Sequence, residues 1–356
     1  MDDYTAIREG AALVTSPARG RIAVSGKDRA SYLQGLLTND IQALTAGTGC
    51  YAAWLTPQGR MITDLHVLES GDMILLDVPE ATRALVLQRL DEFLFSEDVQ
   101  LGDLTAALRA VSVHGPAAAR VIEAVVILPA DAGSHTALLG EAGSRTDDGF
   151  RLEAENRLHA EDLFHAQYAN VRAHFDGTPV VVARIDQLGV PGFTVYVDAV
   201  REPDLVRALE RAGAQRAGDA AVEAARVEAG YPLFGPDMND DIIPLEAGIE
   251  PRAISFSKGC YVGQEVIIRV LHRGHGRVAR RLVGLKLQDG AAPTPGARIH
   301  AGGKDAGFIT SSARSPRLGT IALGYVHRDF VAPGTSVEVE AADGRVPATV
   351  SALPFA

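Results

Sequence analysis

After about residue 280 this chain loses every helical period. Short apolar runs are cut by Pro293, Pro295, Gly302-Gly303, Pro333-Gly334 and Asp343-Gly344, and Val283, Leu285 and Leu287 alternate with other residues. A period of two with turn residues about every 8 to 12 positions specifies several short strands, so this region is predicted to be a small sandwich or barrel. Upstream, helix and strand signals alternate. Ile22 and Val24 lead through Ser25-Gly26-Lys27-Asp28 into a helix carrying Leu33, Leu36 and Leu37, with Asp28 as its cap. Residues 73–78 read as a strand stopped by Pro79, and Val86, Leu87, Leu90, Phe93 and Leu94 predict a helix over 80–95. A strand at Val111–Val113 and a helix over 115–125 follow. Strands are then predicted at 180–184 and 193–198, and helices at 202–213 and 218–229, the last stopped by Gly230. Segment 128–150, rich in Gly, Ala, Ser and Asp, reads as a loop or weak hairpin.

At 356 residues the chain exceeds one ordinary core, and 47% apolar with 22% charged residues describes a soluble globular protein. A net charge of −11 argues against nonspecific nucleic-acid binding across the whole surface. Cys50 and Cys260 stand far apart without a C-x-x-C pair, which excludes a disulfide framework and a complete four-thiolate cluster on one chain. The start Met1-Asp2-Asp3-Tyr4 lacks a signal-peptide pattern, and no run approaches the roughly 20 apolar residues of a membrane span. A cytoplasmic protein without a membrane partner is expected. Neither G-x-x-x-x-G-K-[ST] nor G-x-G-x-x-G occurs, which disfavours nucleotide hydrolysis and dinucleotide redox chemistry.

The run Lys258-Gly259-Cys260-Tyr261-Val262-Gly263-Gln264-Glu265 places a cysteine between glycines and beside a cation. Glycines permit tight turns and close approach, and a neighbouring lysine favours the thiolate. The competing reading is a small buried hydrophobe. This run resembles the K-G-C-Y-x-G-Q-E signature of the YgfZ family, folate-binding relatives of the glycine-cleavage T-protein that serve iron–sulfur proteins. Arg226-Val227-Glu228-Ala229-Gly230, Leu233-Phe234-Gly235-Pro236-Asp237 and Pro244-Leu245-Glu246-Ala247-Gly248 resemble motifs of the wider T-protein superfamily. So do Gln34–Asp40, Leu55–Arg60, Gly324-Tyr325-Val326 and Leu353-Pro354-Phe355, whereas residues 100–180 contribute little.

The resemblance implies an α+β protein: a ring-shaped α/β body over 1–278, built of two interleaved subdomains around a folate-sized channel, and a C-terminal β-barrel over 279–356. It implies tetrahydrofolate, or a one-carbon derivative, as cofactor. The implied folate-binding set is Asp64, Arg184, Arg226, Lys258, Tyr261 and Gln264, and the implied reactive groups are Cys260 and Asp64. Asp64 aligns with the aspartate that T-proteins use near the folate's reactive nitrogen; an ordinary turn or strand-edge aspartate is its competing reading. Arg226 is expected to face the ligand, against a surface charge paired with Glu223 or Glu228. Lys258 is expected to lower the Cys260 pKa, with Gln264 or Glu265 holding the loop.

There is one departure. Where T-proteins carry acids, this chain has Val190, Pro191 and Thr194 within Arg184–Thr194, leaving Asp186 or a backbone carbonyl to meet the pterin. The cationic stretch Arg269, His272, Arg273, His275, Arg277, Arg280 and Arg281 suits a polyglutamate tail, an RNA phosphate or an acidic partner, or simply a solvated face. His272 and His275 lack a third ligand, so zinc is not expected and the metal question stays open. Asp237, Asp240 and Asp241 read as a solvated loop or cap, and Cys50 as structural.

The leading expectation is an accessory factor for iron–sulfur assembly or repair, serving iron–sulfur client proteins including tRNA-modifying enzymes, with Cys260 at the rim of the folate channel. Two alternatives stand beside it: a folate-dependent aminomethyl or methyl transferase using Asp64, and a scaffold binding RNA or a client through the basic stretch.

Overall fold

A computed structural model describes residues 1–14, 19–129, 164–272, 276–288, 292–342 and 344–356. The chain forms two open sheets and a closed barrel. The first sheet has five antiparallel strands, in spatial order Gly49–Leu55, Met61–Glu69, Met73–Pro79, Arg19–Ser25 and Gln100–Asp103. The second has six: Gln215–Arg216, Ala12–Val14, Leu108–His114, Gly192–Asp198, Thr178–Arg184 and Asn170–Phe175. Only its outer pair, Ala12–Val14 with Gln215–Arg216, runs parallel.

Each sheet hides one face under helices. Ile22, Val24, Trp54, Leu65 and Val67 pack against Leu33 of the helix Arg29–Gln34 and against Val86 and Leu90 of the helix Glu80–Glu92. Val111, Val113, Val182, Phe193, Val195 and Val197 pack against the helices Ala118–Val125 and Glu202–Arg211. Strand alternation therefore turns the opposite residues of both sheets inward, toward each other.

The predicted elements form, with small shifts at their ends. The helix over 80–95 spans Glu80–Glu92, and that over 218–229 spans Asp219–Glu228, followed by Gly230 at φ 64°. Asp28 stands at its helix N-cap position, but its carboxylate accepts from the Asp98 amide rather than capping the helix. Residues 130–150 of the predicted loop lie outside the described residues.

The end of the chain closes into a six-stranded antiparallel barrel: Arg280–Leu287, Gly319–His327, Lys304–Ser315, Arg298–Ala301, Ser336–Ala341 and Gly344–Ser351, which returns to the first. Its interior holds Leu285, Ile299, Ile309, Val326, Val339 and Val350. A third core joins barrel and sheets through Met61, Val227, Met238, Leu245, Tyr261, Tyr325 and Phe355. No helix among the described residues is long and apolar enough to cross a membrane.

Candidate active site

The strand Met61–Glu69 carries the site because its alternation is reversed from the ordinary pattern. Leu65 and Val67 face the covering helices, while Asp64 and His66 point to the interior between the sheets. Register completes the row: Tyr51 lies opposite His66, and His66 lies opposite Asp77. The Tyr51 hydroxyl reaches diagonally to Asp64 Oδ2 at 2.7 Å. Asp64 is 4% exposed, and its Oδ1 has no hydrogen-bond partner. Burial pushes this carboxyl above the ordinary aspartate range, opposed by Arg19, by the Tyr51 hydrogen bond and by Arg252.

His66 is also buried, and its Nδ1 is unpartnered. Burial pushes its pKa down to about 3, with Arg19 acting in the same direction, so the imidazole is neutral near pH 7. Its ring centroid lies 5.4 Å from that of Tyr168 and 6.0 Å from that of Tyr51. Gln187 Nε2 approaches His66 Nε2 at 3.4 Å. Tyr168 sits at φ 65°, a left-handed conformation unfavourable for a side chain of its size and typical of functional sites. Arg252 lies with its guanidinium carbon 4.0 Å from the Tyr231 ring centroid and 4.7 Å from that of Tyr51.

A second buried network supports this one. Arg19 pairs with Asp77, whose Oδ2 accepts from the Tyr196 hydroxyl of the other sheet at 2.6 Å. Burial would raise the Asp77 pKa, but the Arg19 charge and the hydrogen bonds from Tyr196 and Arg19 outweigh it and hold the group below the ordinary aspartate range. The result is a buried cluster between two sheets in which aromatic rings surround an unsatisfied acid, a neutral imidazole, an amide and a guanidinium. Such a set suits a flat, hydrogen-bonding, partly aromatic ligand.

The predicted site residues do not all converge here. Arg226 does not face a ligand: it is buried, donating to Asp237 Oδ2 at 2.8 Å, to the Tyr231 carbonyl at 2.7 Å and to Glu223. Asp237 is likewise no solvated loop residue, because Thr310 and Ser311 of the barrel donate to its Oδ1 at 2.6 and 2.7 Å. Together they fasten the barrel to the body. Arg184 is paired with Asp186, whose carboxylate also accepts from the Gly192 amide, so Asp186 is engaged rather than free for a pterin. Thr194 bonds Ser112.

Lys258 turns away from Cys260. Its Nζ caps the carbonyls of Gln34, Leu37 and Asn39 at 2.6 to 2.8 Å. Burial brings its pKa down to about 8, and the thiol that feels its charge is Cys50, itself pushed up to about 12 by burial. Cys260 is exposed. Of the glycines in this run, Gly263 is the constrained one: φ is 85° and a Cβ would stand 2.5 Å from the Thr56 carbonyl, whereas Gly259 has open space. Tyr261 is buried in the joint core, and Gln264 opens the helix Gln264–His272. Downstream, Arg280 pairs with Glu246 and lies over Phe308 and Tyr325, and Arg281 pairs with Glu250. Those cations serve the barrel–body contact; Arg273 and His275 lie outside the described residues. Among the described residues no group of three His, Cys, Asp or Glu is placed to hold a metal.

Tyr51, His66, Tyr168, Gln187, Tyr231 and Arg252 were not singled out from sequence. The signal that marks His66 is Thr63-Asp64-Leu65-His66-Val67, an alternation whose polar side turns inward because helices cover the apolar side.

Two sheets facing each other, with a small barrel packed on them through a joint core, define an architecture that comparison with known proteins identifies. Residues 1–138 and 151–258 match the GCVT N-terminal domain, and residues 280–356 match the glycine cleavage T-protein C-terminal barrel domain. The aminomethyltransferase of Rubrobacter xylanophilus is 30% identical over 355 residues, covering 99% of this chain and 85% of that protein. That of Corynebacterium jeikeium is 30% identical over 372 residues, covering 100% and 90%. The glycine cleavage system aminomethyltransferase T from Bartonella henselae superimposes with a TM-score of 0.80 at 23% identity, over 99% of this chain and 88% of that one, and shares the fold. The chain belongs to the glycine cleavage T-protein family.

Proposed function

We propose that this protein is a tetrahydrofolate-dependent one-carbon transferase of the aminomethyltransferase type, with Asp64 as its proton-exchanging group. The observation that carries this reading is Asp64 Oδ1, a buried acceptor with no partner, on a carboxyl whose pKa is raised. A buried polar atom without a partner costs about 1–3 kcal/mol, so a chamber that keeps one is shaped for a ligand that satisfies it. The family's relatives named aminomethyltransferase support the same class of reaction.

The residues present fit a reduced folate. Tyr51, Tyr168 and Tyr231 offer ring surfaces, Asp64 Oδ1 an acceptor, and Gln187 and neutral His66 further polar contacts. Tetrahydrofolate supplies the nitrogen nucleophile that takes up the one-carbon unit. Tyr51 holds Asp64 through Oδ2 and leaves Oδ1 to exchange the proton, while Arg19 keeps its charge on Asp77. The valine and proline at 190 and 191 leave pterin recognition to these groups instead of to acids there. The test is calorimetric titration with tetrahydrofolate, followed by transfer from an aminomethyl donor. Asp64→Asn is expected to keep folate binding and lose about 10²- to 10⁴-fold in transfer rate. Undiminished transfer by that variant overturns the reading.

A second reading draws on Cys260, whose exposed thiol is reachable by a client protein. With the YgfZ-like signature around it, this supports an accessory role toward iron–sulfur client proteins, including tRNA-modifying enzymes, in which Cys260 transiently ligates iron or forms a mixed disulfide. Full rescue of client-enzyme activity by Cys260→Ala in a deletion strain sinks it.

A further inference from the structure

Arg252 differs from most cations of the protein's interior; Arg21 too lacks a carboxylate among the described residues, but it donates to the Thr105 carbonyl. Arg19 is paired with Asp77, Arg226 with Asp237 and Glu223, Arg184 with Asp186, and Arg8 with Glu228. The Arg252 side chain makes no hydrogen bond or ion pair with any described residue; its only side-chain contacts of note are the faces of Tyr51 and Tyr231. Both rings lie against the guanidinium, and its N–H donors meet no acceptor among the described residues, which leaves them to a carboxylate. Arg252 as a residue is half-buried.

Its position adds the second half of the argument. Tyr51 carries Arg252 on its face and bonds Asp64 through its hydroxyl, so a single ring separates the unpaired cation from the unsatisfied acid. Asp77 and Arg19 neutralise each other beside them. Among the charged groups, what remains uncompensated is one donor edge and one acceptor atom, a dipolar pattern that an anion alone or an amine alone matches only by half. We infer that Arg252 binds the carboxylate of a small amino-acid-like zwitterion whose amine faces Asp64, sharing the chamber with the folate. The assignment deepens the transferase reading and rests on it for the partner molecule. The folate's own glutamyl carboxylates are the other source of the same chemistry.

The test is calorimetric titration of the full chain, with and without tetrahydrofolate, using N-methylglycine, dimethylamine (the same amine without the carboxylate) and acetate. The wild type is expected to bind N-methylglycine more tightly than either fragment. Arg252→Gln is expected to weaken N-methylglycine and acetate by about tenfold or more and to leave dimethylamine unchanged. Arg252→Lys keeps the charge without the planar fork and is expected to fall between, which guards against a folding defect in the glutamine variant. Absence of N-methylglycine binding by the wild type, or equal binding by wild type and both variants, overturns the assignment. So does a loss on Arg252→Gln that affects tetrahydrofolate but spares tetrahydropteroate, which lacks the glutamate; that result gives Arg252 to the folate tail. Failure of the wild type to bind tetrahydrofolate at all refutes the transferase reading instead, a separate result.

Discussion

Two buried aspartates of this molecule differ in how fully their oxygens are paired. Asp237 is 2% exposed and Asp64 is 4% exposed, and each lies deep between layers of structure. Every oxygen of the Asp237 carboxylate is used: Thr310 and Ser311 donate to one, Arg226 and the Leu233 amide to the other. Asp64 has one oxygen on Tyr51 and one on nothing. Burial and charge do not distinguish the two residues. Satisfaction does: the paired acid is a fastener between barrel and body, and the half-paired acid is an open valence in a chamber.

This contrast breaks first on substitution. Beyond its expected loss of transfer, Asp64→Asn should leave stability to chemical denaturation equal or improved, because it removes a buried carboxyl that is incompletely paired. Asp237→Ala should do the reverse, costing about 3–5 kcal/mol by removing the buried acceptor of Arg226, Thr310 and Ser311. A fall in denaturation midpoint for Asp64→Asn as large as for Asp237→Ala would erase the distinction.

Proton linkage sharpens it further. The His66 pKa is depressed in the folded chain to about 3, so the unfolded chain binds more protons once pH drops below the ordinary histidine value. The stability this provides is complete above about pH 6.5 and is lost as pH falls toward 3, at up to about 1.4 kcal/mol per pH unit. Asp64 acts with the opposite sign: its raised pKa makes burial increasingly costly as pH rises above the ordinary aspartate value. Denaturation at a series of pH values should therefore show a flatter acid limb in His66→Gln, and an Asp64→Asn advantage that grows with pH. Identical profiles for wild type and both variants would place these groups in ordinary solvent. The smallest effect belongs to the signature loop. Cys260→Ala should shift stability by no more than about 0.5 kcal/mol, as for an exposed side chain with no buried contact, and a larger loss would reveal a packing role.

How much of this was legible beforehand varies by region. The barrel was, because Val283, Leu285 and Leu287 with their punctuating prolines and glycines admit strands and little else. Asp64 was singled out too, through its resemblance to the superfamily, and the structure gives it a buried, half-paired carboxyl. The role of Arg226 was not legible, since the partner that defines it, Asp237, is bound in turn by barrel hydroxyls at positions 310 and 311. Lys258 misled for a related reason: adjacency to Cys260 in the chain says nothing about direction, and its ammonium found three carbonyls at the end of another helix.

The sequence by itself determined the local periods, the change from mixed helices and strands to all-strand structure, and the T-protein superfamily. Those rest on neighbours along the chain, whose spacing sets which face each residue takes. Tertiary structure alone decided which face became the interior chamber, which buried charges were neutralised, and that Arg252 and Asp64 were left without full partners on either side of one tyrosine. Partnering of charges depends on residues brought together across sheets and barrel, and no pattern of neighbours encodes it.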